Sequence, residues 1–196
     1  MDQQTLSHNA VQRIARRIDR PVVLVGLMGV GKTTVGRKLA TLTGLPFVDA
    51  DEEIERAAQM TIPEIFARFG EAQFRDGERR VIARLIAPGA AQPPRRILAT
   101  GGGAFVDPAT RALILDRAAA VWIDSDIDTL VDRVARKDNR PLLREGDPRA
   151  ILTRLRDERA PFYAEAPIHV TSGQHPHTQT AHAILKALDE WLQAKT

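Results

Sequence analysis

A glycine-rich segment near the start of the chain has the residue types and the spacing that bind phosphate groups. Residues 26–33 read GLMGVGKT, which fits the pattern G-x-x-x-x-G-K-[ST] between an apolar run and a helical pattern. Glycines let backbone N–H groups turn inward around phosphate oxygens, and the following helix adds the positive end of its dipole. Lys32 is predicted to reach the β- and γ-phosphates of a nucleotide, and the Thr33 hydroxyl to bind Mg²⁺. The rest of the predicted cradle comprises Gly29, Val30, Gly31 and Thr34.

Two aspartates, Asp49 and Asp51, follow the second predicted strand. Residues two apart on an extended segment point to the same side, and the carboxyl ends of parallel strands face the crevice where ligands bind. One carboxylate could hold Mg²⁺ through water, and the other could accept a hydrogen bond from an acceptor hydroxyl. The spacing favours this interpretation no more than the alternative that Asp51 only caps the following helix.

Three further groups of residues carry weaker signals. Arg75 lies in a charged helical stretch, residues 74–78, that by itself is typical of a solvated face. The glycines at 101–103 would let a ligand approach the backbone, or form only a loose turn. Arg140 lies in a polar loop where a lid is expected, and Arg159 lies in a helix; each by itself is typical of a surface charge. The third strand ends without an acidic residue, which counts against motor-like and signalling nucleoside triphosphatases.

The elements that must position these residues alternate between strands and helices. The predicted strands are residues 22–26, 45–49, 96–100, 119–123 and 168–171. The predicted helices are residues 32–43, 51–60, 63–69, 71–86, 126–136, 149–163 and 177–195, with another that opens at 107–108. This alternation predicts an α/β fold with a parallel sheet covered by helices on both faces.

The composition excludes several classes of protein. The chain has 196 residues, 43% of them hydrophobic and 27% charged, which suits one domain with a sizeable core. Only five of the 28 basic residues are lysines, and a net charge of +3 does not argue for a nucleic-acid partner. The absence of cysteine excludes disulfides and thiolate metal sites, and the longest apolar run, residues 22–30, is too short to span a bilayer. We therefore expect a cytoplasmic protein with neither a nucleic-acid nor a membrane partner.

Residues 1–20 form an N-terminal extension that precedes the first strong signal. Leu6, Val11, Ile14 and Ile18 lie in it at roughly helical spacing. We expect the extension to be helical and to pack on the domain rather than anchor it elsewhere.

Taken together and in this order, these segments resemble the shikimate kinase family. The resemblance covers roughly residues 21–191. It rests on residues 26–34 (GLMGVGKTT), 47–51 (FVDAD), 74–78 (FRDGE), 101–103 (GGG), 140–143 (RPLL) and 159–163 (RAPFY). It implies ATP-dependent phosphorylation of the 3-hydroxyl of shikimate, on the pathway to chorismate and the aromatic amino acids. It also implies a three-layer P-loop kinase fold over residues 21–196, similar to nucleoside monophosphate kinases. That fold has a five-stranded parallel sheet in the order 2-3-1-4-5 and a short lid at about 137–148.

The resemblance implies roles for residues on the acceptor side. Asp51 would bind the ring hydroxyls and is the candidate base. Arg75 and Arg159 would hold the shikimate carboxylate with their guanidinium forks. The substrate would also meet the glycine turn, chiefly through the backbone of Gly102. The turn comprises Gly101, Gly102 and Gly103.

On the nucleotide side, the resemblance keeps the phosphate-loop roles given above and places Asp49 near the metal. Arg140 would be a lid arginine that contacts the ATP phosphates. An arginine that stacks on adenine is expected nearby, and Arg136 is preferred to Arg133 for this role. The residues predicted to act in catalysis are Lys32, Asp51 and Arg140.

Two alternative functions remain open on these residues. The first is another small-molecule kinase of the same build, for gluconate or a nucleoside monophosphate. The pair Arg75 and Arg159 with the triple glycine favours a carboxylated ring, and a nucleoside monophosphate kinase usually carries a longer, Arg-rich lid. The second is a nucleotide-binding regulatory protein, which would have no use for a complete acceptor site. A chain of this size with a complete site can act alone, so we expect a monomer.

Overall fold

The strands form one parallel sheet of five members. The computed structural model describes residues 5–87, 95–135 and 146–194. The strands are β1 (Val22–Val25), β2 (Phe47–Asp49), β3 (Ile97–Ala99), β4 (Ala119–Asp124) and β5 (Ile168–Thr171). They lie in the order β2-β3-β1-β4-β5, and every pairing is parallel. The order implied by the resemblance is therefore confirmed.

Eight helices connect and cover the strands in the described part of the chain. They are α1 (His8–Arg17), α2 (Lys32–Thr43), α3 (Ala50–Ala58), α4 (Ile62–Ile86), α5 (Pro108–Arg117), α6 (Ile127–Ala135), α7 (Pro148–Tyr163) and α8 (His177–Gln193). From β1 to β2 the chain moves toward one edge of the sheet, and from β3 to β4 it moves toward the opposite edge. Because such crossovers are right-handed, the reversal places helices on both faces of the sheet. None of the helices in these ranges is both long and apolar enough to cross a membrane.

The centre of the sheet is also the centre of the core. β1 is the middle strand, and all four of its side chains are fully buried. A strand buried on both faces has no polar side to show, which explains its uninterrupted apolar sequence, VVLV. The loop that follows β1 therefore starts from the most rigid part of the molecule.

Helix α4 differs from its prediction. Two helices were predicted, at 63–69 and 71–86, and the structure runs them together from Ile62 to Ile86. Gly70 lies between them with non-helical backbone angles (φ 76°, ψ 176°), so the two parts meet at a kink. The part after the kink carries Arg75.

The N-terminal segment includes a helix that packs on the domain. Val11, Ile14 and Ile18 are almost fully buried, and α1 packs against α2 and α8. Arg95 donates hydrogen bonds to the carbonyl oxygens of Ala15 and Ile18 at the end of the helix. These contacts occupy carbonyls that α1 itself leaves without partners.

Candidate active site

Three glycines of the phosphate loop, Gly26, Gly29 and Gly31, have positive backbone φ angles, which other residues rarely adopt. Gly26 follows β1 with φ 135°, and a Cβ there would lie 2.3 Å from the carbonyl oxygen of Ile123. Gly31 precedes α2 with φ 95° in the left-handed region. Helix α2 therefore begins at Lys32, and the positive end of its dipole lies at the loop.

Lys32 is folded across the loop that it belongs to. Its side chain is almost entirely buried. Its Nζ donates hydrogen bonds to the carbonyl oxygens of Gly26 at 2.7 Å and Leu27 at 3.0 Å. The ammonium group is thus held inside the loop, where it can exchange these carbonyls for phosphate oxygens.

Thr33 and Asp49 meet where a metal ion was predicted. The Thr33 hydroxyl donates to Asp49 Oδ2 at 2.8 Å. A hydroxyl and a carboxylate are the oxygen donors that suit Mg²⁺, which takes few protein ligands and completes its shell with water and phosphate. The two residues therefore fit a Mg²⁺ ion bound together with a nucleotide.

Asp51 is placed differently from its prediction. It lies in the first turn of α3 rather than on an extended segment, and it is Asp49 that caps this helix. Asp49 Oδ1 accepts a hydrogen bond from the Asp51 backbone N–H at 3.1 Å. The capping alternative was thus right about the function but wrong about the residue. The Asp51 side chain is left available for another role.

The surroundings of Asp51 make its carboxylate a stronger proton acceptor than that of an exposed aspartate. Burial raises the pKa of the Asp51 carboxyl, the negative charge of Asp49 raises it further, and the positive charges of Lys32 and Arg75 oppose the shift. A buried carboxyl with a raised pKa is a better proton acceptor than an exposed one. Asp51 therefore has the properties of a group that accepts a proton from a hydroxyl.

Arg75 is fixed by two carboxylates on its own helix. Its Nη1 donates to Glu78 Oε2 at 2.6 Å, and its Nη2 donates to Glu71 Oε1 at 3.3 Å. The Glu78 side chain is only 1% exposed. Residues 74–78 are thus not the solvated face that their charges suggest. Glu78 holds the Arg75 guanidinium in one place.

Sequence reasoning gave Glu78 no role, although the pattern contains a signal for it. Phe74, Glu78 and Ile82 are spaced four residues apart and are all buried, so Glu78 occupies a core position of α4. Burial raises the pKa of the Glu78 carboxyl, and the Arg75 charge opposes this. A carboxyl in the apolar stripe of a helix, three residues after an arginine, indicates a buried partner for that arginine.

Two glycines of the turn after β3 make room for two of the predicted substrate residues. A Cβ at Gly101 would lie 2.9 Å from Asp51 Oδ1, and a Cβ at Gly103 would lie 2.4 Å from Arg75 Nη2. The turn and these two side chains are therefore in direct contact. That a ligand also approaches the backbone of this turn stays a prediction.

The middle glycine joins the remaining parts of the site. A Cβ at Gly102 would lie 3.5 Å from Arg159 Nη1 and 3.5 Å from the backbone nitrogen of Met28. Met28 belongs to the phosphate loop. The structure thus brings Asp51, Arg75 and Arg159 together around one turn, and that turn touches the phosphate loop.

Two predicted site residues, Arg136 and Arg140, lie outside the described residues. Residues 137–145 of the predicted lid lie outside them as well.

Arg133, the alternative to Arg136, is described. Its guanidinium donates to the carbonyl oxygens of Val30 and Gly173. Burial lowers the pKa of this guanidinium. Arg133 thus connects the phosphate loop with the segment that follows β5, a contact that spacing alone does not reveal.

Fold and site together define a P-loop kinase that phosphorylates a small molecule. A family model described as shikimate kinase matches residues 28–189. Shikimate kinase of Novosphingobium aromaticivorans is 70% identical over 191 residues, which cover 97% of this chain and 98% of that protein. The chain belongs to the shikimate kinase family.

Solved structures agree with this assignment. Shikimate kinase from Acinetobacter baumannii in complex with shikimate has a TM-score of 0.77 and 36% identity, covering 92% of this chain and 98% of that one. A gluconokinase from Sinorhizobium meliloti has a TM-score of 0.57 and 17% identity, covering 92% and 97% of the two chains. The second likeness shows the fold alone.

Proposed function

We propose that this protein transfers the γ-phosphoryl group of ATP to the 3-hydroxyl of shikimate, as a monomer in the cytoplasm. The observation that carries the proposal is the grouping of Asp51, Arg75 and Arg159 around a glycine turn that contacts the phosphate loop. This grouping offers two cations and one hydrogen-bond acceptor beside a phosphate-binding loop. Family membership supports the same reaction.

The three side chains complement the chemistry of shikimate. Shikimate is a small ring with one carboxylate and three hydroxyl groups. Arg75 and Arg159 would bind the carboxylate, because two guanidinium forks match its oxygens in geometry and charge. Asp51 would accept a hydrogen bond from a ring hydroxyl. The substrate would pack on the Gly102 backbone, where a side chain would block it.

Asp51 would orient the attacking hydroxyl and receive its proton. Phosphoryl transfer has a loose transition state, so positioning and charge neutralisation supply most of the catalysis. The raised pKa of Asp51 supports a role as proton acceptor once the hydroxyl oxygen bonds to phosphorus.

On the nucleotide side, Lys32 would exchange the carbonyls of Gly26 and Leu27 for the β- and γ-phosphates. Thr33 and Asp49 would hold Mg²⁺, which neutralises phosphate charge when bound. Arg140 would close over the phosphates from the lid. For the adenine side, Arg136 stays the preferred arginine over Arg133, whose guanidinium is already bonded to the carbonyl oxygens of Val30 and Gly173.

A coupled ADP-release assay tests the function. ATP and Mg²⁺ are supplied with shikimate, gluconate, AMP or no acceptor. We expect turnover that depends on shikimate, with the other acceptors close to the acceptor-free background. Equal rates with and without shikimate would refute the proposal, and turnover with gluconate or AMP alone would identify one of the other small-molecule kinases.

A further inference from the structure

Tyr163 lies in the acceptor site, and the proposed reaction gives it no role. It is the last residue of α7 and follows Arg159 by four positions, so the two side chains lie on the same face of the helix. Its side chain is only 2% exposed. A buried tyrosine normally gives its hydroxyl a hydrogen-bond partner.

The Tyr163 hydroxyl lies in the acceptor site, beside the glycine turn. It donates a hydrogen bond to the carbonyl oxygen of Gly102. Arg159 lies at the same glycine, because a Cβ at Gly102 would be 3.5 Å from its Nη1. The positive charge of Arg159 opposes the rise in the Tyr163 pKa that burial causes. A phenol that donates one hydrogen bond can still accept one from a neighbouring guanidinium. The Tyr163 hydroxyl thus links the last turn of α7 to the Gly102 turn, where Arg159 also lies.

The last turn of α7 needs such a link. Pro161 lies inside the helix, between Arg159 and Tyr163. Proline has no N–H group, so the helix loses the hydrogen bond that residue 161 would donate to the carbonyl of Asp157. The turn that carries Arg159 therefore depends more than usual on its side-chain contacts.

The hydrogen bond from Tyr163 to Gly102 also fixes the orientation of one peptide group in the turn. The carbonyl of Gly102 and the N–H of Gly103 belong to one planar peptide group, so holding the carbonyl sets the direction of the N–H. The Tyr163 ring is kept in place in turn by Trp122 on β4, with 6.1 Å between the ring centroids. The hydroxyl is therefore attached to a rigid part of the sheet.

We propose that Tyr163 is a positioning residue for the phosphoryl acceptor. Its hydroxyl holds the Arg159 guanidinium and the Gly102–Gly103 peptide in the arrangement that receives the acceptor carboxylate and ring. This inference rests on the proposed function.

The first test is Tyr163→Phe, which keeps the ring and removes only the hydroxyl. We expect the KM for shikimate to rise about tenfold, because the Gly102 carbonyl loses its donor and the turn that receives the acceptor is no longer held. The KM for ATP and kcat should change by less than about twofold.

The matched control is Thr43→Val. It removes a buried hydroxyl that donates to the Leu39 carbonyl at 2.7 Å. Thr43 is the last residue of α2, at the opposite end of the helix from the phosphate loop. The control should lower the melting temperature as much and leave the KM for shikimate unchanged.

The second test is a double-mutant cycle with Arg159→Lys. If Tyr163 acts through Arg159, the two effects on kcat/KM for shikimate are not additive, and the double variant is little worse than Arg159→Lys. Additive effects would overturn the action of Tyr163 through Arg159, and a shikimate KM in Tyr163→Phe within twofold of wild type would overturn the positioning role as a whole. Wild-type protein without turnover on shikimate would overturn the proposed function and this inference together. Wild-type turnover with an unaffected Tyr163→Phe variant overturns the inference alone.

Discussion

The two halves of the active site are built in different ways. The phosphate loop is one run of residues, 26–33, between a fully buried strand and the helix that follows it. The acceptor side is assembled from the start of α3, the middle of α4, the turn after β3 and the end of α7. The phosphate half therefore depends on local backbone geometry, and the acceptor half depends on the whole fold.

The glycines of the two halves show the same difference. A Cβ at Gly26 would strike a backbone oxygen, that of Ile123, at 2.3 Å. A Cβ at Gly103 would strike the end of the Arg75 side chain at 2.4 Å. Backbone in the core cannot move aside, whereas a guanidinium can. The phosphate half is thus held rigidly, and the acceptor half is held by side chains that can be displaced.

The largest effect is expected from Lys32→Ala. It removes the one loop side chain predicted to reach the phosphates, and we expect kcat to fall at least about a thousandfold, as when a preorganised charged donor is lost. Lys38→Ala is the control, since it removes an exposed lysine from the same helix. Steady-state kinetics of both variants, with melting temperatures, check this. Retention of more than a tenth of wild-type kcat by Lys32→Ala would contradict the assignment.

The same difference explains how much of the molecule could be predicted from sequence. The five strands and the start of α2 were predicted within a few residues, because a run such as VVLV before a glycine loop signals its own structure. The phosphate loop could be predicted from the sequence for the same reason. Its chemistry depends on neighbours along the chain.

The acceptor side could not be worked out from spacing alone. The spacing of Phe74, Glu78 and Ile82 signals that Glu78 is buried. Nothing local says that Arg75 reaches the glycine turn, because that depends on which helix packs where. The order of the motifs pointed to the right family, but individual contacts were missed. Tyr163 was quoted in a motif without a role, and the capping residue of α3 proved to be Asp49.

An intermediate effect is expected from Arg75→Ala. The variant loses one of two cations proposed for the carboxylate, so the KM for shikimate should rise about ten- to a hundredfold while the KM for ATP stays close to wild type. Arg80→Ala, which removes an exposed arginine of the same helix, should leave both values unchanged. An unchanged KM for shikimate in Arg75→Ala would refute the carboxylate assignment.

Removal of Arg75 also leaves Glu78 buried without its cation, which can destabilise the fold. The double variant Arg75→Ala/Glu78→Gln separates the two consequences. Replacing the buried charge with an amide should recover melting temperature. The KM for shikimate should stay high, because the missing guanidinium is not restored. Recovery of KM together with stability would mean that Arg75 acts only by neutralising Glu78.

The smallest effect is expected from Gly103→Ala, which tests whether a side chain of the acceptor half can be displaced. The atoms nearest to the new methyl group belong to the Arg75 guanidinium, which it pushes aside. The KM for shikimate should therefore rise several-fold, up to about tenfold, with the melting temperature within a few degrees of wild type. Gly77→Ala is the control, because nothing lies within 4 Å of its Cβ and alanine favours a helix, so it should only stabilise the fold. Gly26→Ala should instead destabilise the protein strongly. Equal losses of melting temperature in Gly103→Ala and Gly26→Ala would show that both halves are equally rigid.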